Sequence, residues 1–334
     1  MTTTRRALAA GIAAALMQAL MLIAFAWPAA NTAPRELPLA VTGPQAAMVT
    51  GMLDERQPGG FETRTVADES AARGAITDRA VYGAIVTGDG PPRVLIASGA
   101  SPAVAQLLTQ MAQQLSGAPV APVQDLVPAD PDDPRGVAFG VAVLPLVMSG
   151  LAAGVLLSLL VPSIGAKALG LGAFAVTAGL LSMAIVQGWL SLLPGAYGEL
   201  ALVSGLVSFA VAGTVVGFSS VLGRAGIGVG ALLMLFIGNP FSGATSAPEM
   251  LPAGWGALGQ LLPPGAAASL LRAVAFFDGT GASGPLVVLS AWAGLAVVLL
   301  VVGAILGRRK GTSTHAGKHE AGASDQNREA AVVG

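Results

Sequence analysis

The sequence predicts a polytopic α-helical membrane protein: six transmembrane helices, with a small extracytoplasmic α/β domain inserted between the first and the second. Three observations carry this. Charged residues fill 10% of the 334 positions, against about 25% in an ordinary soluble domain. The apolar set reaches 54% and the mean hydropathy is +0.72, which leaves too few charges to cover a water-soluble globule of this length. The charges are also unevenly placed. Residues 28–135 hold 19 of them in 108 positions, whereas 136–307 hold six in 172: Lys167, Glu199, Arg224, Glu249, Arg272 and Asp278.

A bilayer core of about 30 Å needs roughly 20 apolar residues per helix. The stretches 7–27, 136–161, 168–190, 200–222 and 285–307 qualify. A sixth, 225–239, is short and covers about 22 Å at 1.5 Å per residue; it crosses if Arg224 snorkels at one end and the following loop dips inward at the other. Six crossings put Arg5, Arg6, Lys167, Arg224, Arg308, Arg309 and Lys310 on one face, the cytoplasmic one by the positive-inside rule. The expected arrangement is thus a multi-pass plasma-membrane protein with both termini cytoplasmic. Residues 1–27 form the stub and first helix, 28–135 the outside domain and linker, 136–307 a five-helix membrane domain, and 308–334 a disordered tail. The first apolar stretch, about 20 residues, exceeds the 7–15 of a signal-peptide core and reads as a retained anchor.

Between 37 and 117 strand and helix patterns alternate. The apolar run 37–41 closes at Gly43-Pro44, a turn signal. Residues 45–56 place Ala46, Val49, Met52 and Leu53 on one helical side. Residues 61–66 alternate, and Asp68 caps a helix reaching Ile76 with Ala71, Ala72 and Ala75 inward. The runs 82–87 and 93–97 flank Gly88-Asp89-Gly90-Pro91-Pro92, a hairpin signal. Ser101-Pro102 opens an amphipathic helix to Leu115. Acids outnumber bases by twelve to seven across 28–135. Asp54-Glu55 and Asp68-Glu69 read as helix-surface charge, since neighbouring helix residues point about 100° apart and a pair cannot close on one ion. The run 130–135 reads as a stiff, solvated linker.

No enzymatic chemistry is expected. The chain has no cysteine, which removes disulfides, thiol catalysis and sulfur-ligated metals. Its two histidines, His315 and His319, lie in the polar tail and meet no serine nucleophile. Residues 311–319 imitate a phosphate loop but hold five residues between the glycines where four are needed. Neither a metal nor a cofactor is implied, and a net charge of −1 gives no hint of nucleic acid. No carboxylate or histidine lies mid-span, which disfavours a proton relay. The glycine pairs 150/154, 213/217, 226/230 and 303/307 read as tight intramolecular helix packing ahead of a dimer face.

Residues 240–284 are too rich in Pro and Gly to span and too apolar for a solvated loop. In the helix opened by Pro263-Pro264-Gly265, Leu270, Val274 and Phe277 share a face, with Arg272 about 200° from Leu270. The segment reads as an interfacial or re-entrant lid sheltered by neighbouring helices. Two roles stay open: a structural cover over the bundle, or a gate lining a substrate path with Asn239, Glu249 and Arg272 as its polar contacts.

Certain strings carry a family resemblance: Ala71-Ala72-Arg73-Gly74-Ala75-Ile76, Asp78-Arg79-Ala80-Val81-Tyr82-Gly83-Ala84, Gly238-Asn239-Pro240-Phe241-Ser242-Gly243-Ala244, Leu262-Pro263-Pro264-Gly265 and Phe276-Phe277-Asp278-Gly279. With one span, an outside α/β domain and five more spans, the chain resembles the ABC-2-type permease superfamily over most of 7–307. More narrowly it is similar to the actinobacterial YhgE/phage-infection-protein branch. The resemblance implies a transport protein taking part in export of a hydrophobic or amphipathic compound, or alternatively a membrane-anchored receptor or assembly protein working through 28–135. It implies the lipid bilayer, a homodimer and a separate ATPase subunit as partners. Against the ATPase stand the six residues before the first span and the short link 162–167, a small docking surface beside the ~800 Å² per partner of a specific interface.

Overall fold

The computed structural model describes residues 3–116, 122–131, 133 and 137–332, with backbone alone at 116, 137, 138, 141 and 309–332. Helix α1 (Thr3–Ala30) is exposed along nearly its whole length. A mixed α/β unit follows: β1 (Leu37–Thr42), α2 (Ala46–Arg56), β2 (Phe61–Thr65), α3 (Glu69–Thr77), β3 (Gly83–Val86), β4 (Arg93–Ile96), α4 (Pro102–Ser116) and β5 (Val123–Asp125). The sheet order is β2-β1-β3-β4-β5, antiparallel only at the β3–β4 hairpin.

Local chemistry accounts for much of this. Asp68 accepts the Ala71 N–H at 2.8 Å and caps α3, leaving Ala72 and Ile76 buried and Ala71 exposed. Glu69 pairs with Arg73 at 2.7 Å and also with Arg93. Those guanidiniums hold its carboxyl below the usual range, Arg73 foremost and against some desolvation. The metal-ligand alternative for these acids thus gives way to a cap and an ion pair. Strand β1 alternates as a pleat must. Leu37, Leu39 and Val41 face α2 and α4, with Val49, Leu53, Ile85, Val104 and Leu108. Ala40 faces α3 on the other side, with Ala72, Ile76, Ala84 and Leu95. Strand β5 is an addition to the expected elements: three residues, two of them exposed, carry no alternating pattern to read. Of the linker, Asp133 is buried and accepts the Phe139 N–H at 3.1 Å, so it holds a helix start instead of lying in solvent. Asp132, Pro134 and Arg135 lie outside the described residues.

The second half holds α5 (Val137–Leu160), α6 (Ile164–Met183, extended by a π turn Ala184–Trp189), α7 (Tyr197–Leu222), α8 (Arg224–Leu232, extended by a π turn Leu233–Gly238), α9 (Trp255–Gln260), α10 (Pro263–Phe276) and α11 (Ser283–Val332). Among the described residues, five helical segments are long and apolar enough to cross a membrane: Thr3–Ala30, Ala142–Leu160, Ile164–Trp189, Tyr197–Leu222 and Ser283–Arg308. The fifteen residues Arg224–Gly238 form a shorter apolar helix. This is a helical architecture consistent with a membrane protein.

Small residues set how these helices meet. A Cβ on Gly150 or Gly154 would stand 2.9 Å or less from Val211 and Val215 of α7, so α5 and α7 run parallel. Gly179 meets the Ala201 carbonyl and Gly205 while Leu171 reaches Gly213, so α6 runs antiparallel to α7. Gly226 packs on Phe218 and Gly230 on Val215, which makes α8 antiparallel too. Ala296 and Leu299 cover Gly213 and Gly217, and Gly303 meets Ser220, so α11 is parallel. Seven of the eight paired glycines serve intramolecular packing around α7; only Gly307 opens onto empty space. The alternation gathers the α5–α6 turn, the α7–α8 turn at Gly223 and the Arg308 end of α11's apolar stretch at one end of the bundle. The α/β unit, the end of α1 at Trp27 and residues 239–282 lie at the other, where Trp27 packs edge-on to Phe241 and Trp255.

Three expectations need correcting. Helix α6 begins at Ile164, capped by Ser163 accepting the Ala166 N–H. Lys167 therefore sits buried in its first turn, and the link shrinks to 161–163. Helix α10 has no wet face: Arg272 is 5% exposed, because the 243–251 loop and the α/β unit cover the side turned away from the bundle. The disordered tail differs as well, for α11 continues to Val332. No proline follows Pro285 to stop it, and Ala, Glu, Lys and Arg favour helix.

Replacing Gly179 with Val should lower the unfolding midpoint of the detergent-purified chain, by an overpacking cost of about 1–3 kcal/mol, because the Ala201 carbonyl 2.4 Å away is backbone. Gly307→Val should leave the midpoint unchanged. Equal midpoints for the two variants would contradict the packing described.

Candidate functional site

Residues 239–282 carry five prolines and, outside α9, α10 and the 3₁₀ turn Pro248–Met250, no regular structure, so much of their backbone needs partners from elsewhere. The chain leaving α1 supplies some. Ala33 N–H donates to the Met250 carbonyl at 3.0 Å and Arg35 N–H to that of Glu249 at 2.9 Å. The Arg35 guanidinium adds bonds to the Met250 and Leu251 carbonyls at 3.1 and 2.9 Å. The Ser101 hydroxyl donates to the Ser246 carbonyl at 2.9 Å while capping α4 through the Val104 N–H. Arg272 donates to the Gly243 and Ala244 carbonyls at 3.3 and 2.6 Å and stands over the Phe139 ring at 4.7 Å. Ala247 and Met250 join the α2/α4 core of the sheet and Phe277 joins the α3 core. The sheet and the bundle are riveted together through this segment.

That junction encloses a cavity of about 910 Å³. Its charged residues are Arg35, Glu36, Arg79, Glu249 and Arg272, joined by the polar Tyr82, Gln260 and Ser269. Its apolar wall comes from α9 and its neighbour Leu261, and from the first turns of α11 through Pro285 and Val288. Each polar member has a structural reason for its place. Arg79 follows the C-terminal cap of α3 in the left-handed region, at φ 58°. This tight turn aims the side chain at the Phe277 ring, 5.1 Å away, and at the carbonyls of Ser269 and Thr280, both 3.4 Å. Tyr82 enters β3, its N–H bound to the Pro38 carbonyl. Its hydroxyl donates at 2.8 Å to Oε2 of Glu249, which sits in the 3₁₀ turn Pro248–Met250.

The electrostatics are lopsided. Packed protein around Tyr82 pushes its phenol well above the ordinary range, reinforced by the Glu249 charge. It stays a hydrogen-bond donor. Burial pulls Arg79 below its ordinary value, opposed by Tyr82 and Glu249. The ion pairs among the described residues join Glu62 to Arg64 and Glu69 to Arg73 and Arg93; Arg35, Arg79 and Arg272 belong to none. Three arginines against two glutamates leave the wall with a formal charge of +1.

Of the sequence-derived contacts, the structure brings Glu249 and Arg272 to this cavity and leaves Asn239 out of its wall. Asn239 ends the second π turn, its N–H on the Met234 carbonyl and its own carbonyl accepting the Ser242 hydroxyl. Sequence reasoning missed Arg35, Arg79 and Tyr82. The available signal was Tyr82 itself, one of two tyrosines in the chain, standing beside an arginine at the head of an apolar strand. No family model matches the chain, and no curated protein matches it significantly.

Removing the Tyr82 hydroxyl strands the Glu249 carboxylate, a loss of about 1.5–3 kcal/mol for a bond to a charged group. Glu249→Gln keeps an acceptor for it. Tyr82→Phe should therefore lower the unfolding midpoint more than Glu249→Gln, and the reverse order would contradict the bond.

Proposed function

We propose that this chain is an integral membrane transport protein of ABC-2 permease type, taking part in export of a hydrophobic or amphipathic compound. In this reading it crosses the plasma membrane six times, with both termini cytoplasmic and the α/β unit outside. The alternating helix directions support six crossings, with the short Arg224–Gly238 helix as the fifth. The gathering of Lys167, Arg224 and Arg308 at one end supports the orientation. The observation that carries the functional reading is the 910 Å³ cavity between sheet and bundle. It is within the range of small-molecule sites, and its apolar wall of Leu261, Pro285 and Val288 ends in a rim where Leu261 is exposed. Such a rim opens toward the outer leaflet, where an amphipathic cargo partitions.

Glu199 is exposed in the first turn of α7, and the spans offer no proton relay. The energy then comes from a partner, and the turn at 161–163 is too short for an ATPase to grip alone. A homodimer pooling its cytoplasmic ends answers that need. The second reading, a receptor or assembly protein, draws support from the edge strand β2, which can add a partner's strand.

Gly284 lines the cavity with nothing within 4 Å of where its Cβ would be, so Gly284→Trp adds bulk to the cavity wall without a clash at its Cβ. In a host sensitised to hydrophobic toxicants, the wild-type chain should reduce their accumulation. Gly284→Trp and Arg272→Ala should lose most of that effect at equal membrane abundance, and Arg93→Ala, on the far surface with Glu69, should keep it. Full activity in Gly284→Trp would remove the cavity from the path.

A further inference from the structure

We infer that the cavity is a site for a phosphate-bearing amphiphile: an oxyanion headgroup held between Arg79 and Arg272, its apolar chain lying along Leu261, Pro285 and Val288. The inference rests on the transport reading above and names the ligand class of that site.

Geometry and charge both lead there. Arg272 is a fixed cation buried at the floor of the cavity. It spends bonds on two carbonyls, and a guanidinium carries five N–H donors. Among the described residues Arg79 is held by two long bonds and a ring face, an arrangement that a stronger acceptor can displace. Both guanidiniums line the same cavity, so a single oxyanion lying between them neutralises both. Arginine's planar fork matches phosphate oxygens in pairs. Glu249 is the acid that competes for these cations, and the Tyr82 hydroxyl occupies one of its oxygens at 2.8 Å. The opposite wall has no charge to offer a headgroup. Gly284 leaves open space beside Leu261 and Val288, where a hydrocarbon chain removes apolar surface from water. A free phosphate would use the first half of the site only; a lipid headgroup uses both.

The full-length chain, purified in neutral detergent, is incubated with phosphatidic acid, with diacylglycerol of the same chains, or with inorganic phosphate, and retained ligand is counted by native mass spectrometry. Wild-type protein should retain phosphatidic acid in preference to diacylglycerol, and inorganic phosphate should compete only in large excess. Arg79→Gln should reduce retention about tenfold, the worth of one charge-assisted contact. Glu249→Gln should raise it, an opposite sign that general damage to the fold would not produce. Equal retention of both lipids would overturn the anion site while leaving an amphiphile cavity standing. Competition by inorganic phosphate at equal concentration would overturn the role of the apolar wall. Wild-type retention in both variants would overturn the assignment of Arg79 and Glu249. Retention of neither lipid would overturn this inference and the cargo cavity together.

Discussion

The backbone between α8 and α11 must find its hydrogen-bond partners inside the protein, and most of the architecture follows from how it does so. Outside α9 and α10 its prolines and turns leave backbone groups that no helix satisfies. Arg35 from the chain leaving α1, Ser101 from the start of α4 and Arg272 from α10 itself donate to its carbonyls. Its apolar side chains Ala247, Met250 and Phe277 complete cores that belong to the sheet. The two halves of the chain are one packed body for this reason, and the cavity is the space their curved surfaces leave between them.

The bundle beneath is organised by α7. Its neighbours approach so closely that side chains larger than hydrogen are excluded at Gly154, Gly179 and Gly226. Without water between helices, dispersion at such short range is the available attraction. Polar glue is sparse: the hydroxyls of Ser158 and Ser219 meet at 2.8 Å between α5 and α7. Helix α1 stands apart from this packing, touching it through Trp27 at the end near the cavity.

What could be read from the chain was whatever local chemistry decides. The Asp68 cap, the Gly88–Pro92 turn and the apolar stretches depend on neighbours within a few positions, and each emerged close to where it was expected. The burial of Lys167 and Arg272 was not legible. Helical periodicity reports a stripe facing one neighbour, whereas α10 is covered from every side. Arg35, Arg79 and Tyr82 come from distant points of the sequence, and only tertiary packing brings them to Glu249. Asn239 was singled out for its polarity within an apolar stretch, and that polarity serves the end of a π turn through its backbone. Strand β5 forms because β4 offers it an edge, which three residues cannot announce alone.

The claim on which this account turns is that the α/β unit is clamped onto the segment between α8 and α11. The chain has no native cysteine, so a single introduced pair is unambiguous. With Ser101→Cys and Ser246→Cys in the full-length protein in native membranes, a short bifunctional thiol reagent should join the two within one chain. Protease cleavage between them should then leave the fragments linked. Separate labelling of both thiols, with fragments that part after cleavage, would contradict the clamp and the cavity it forms.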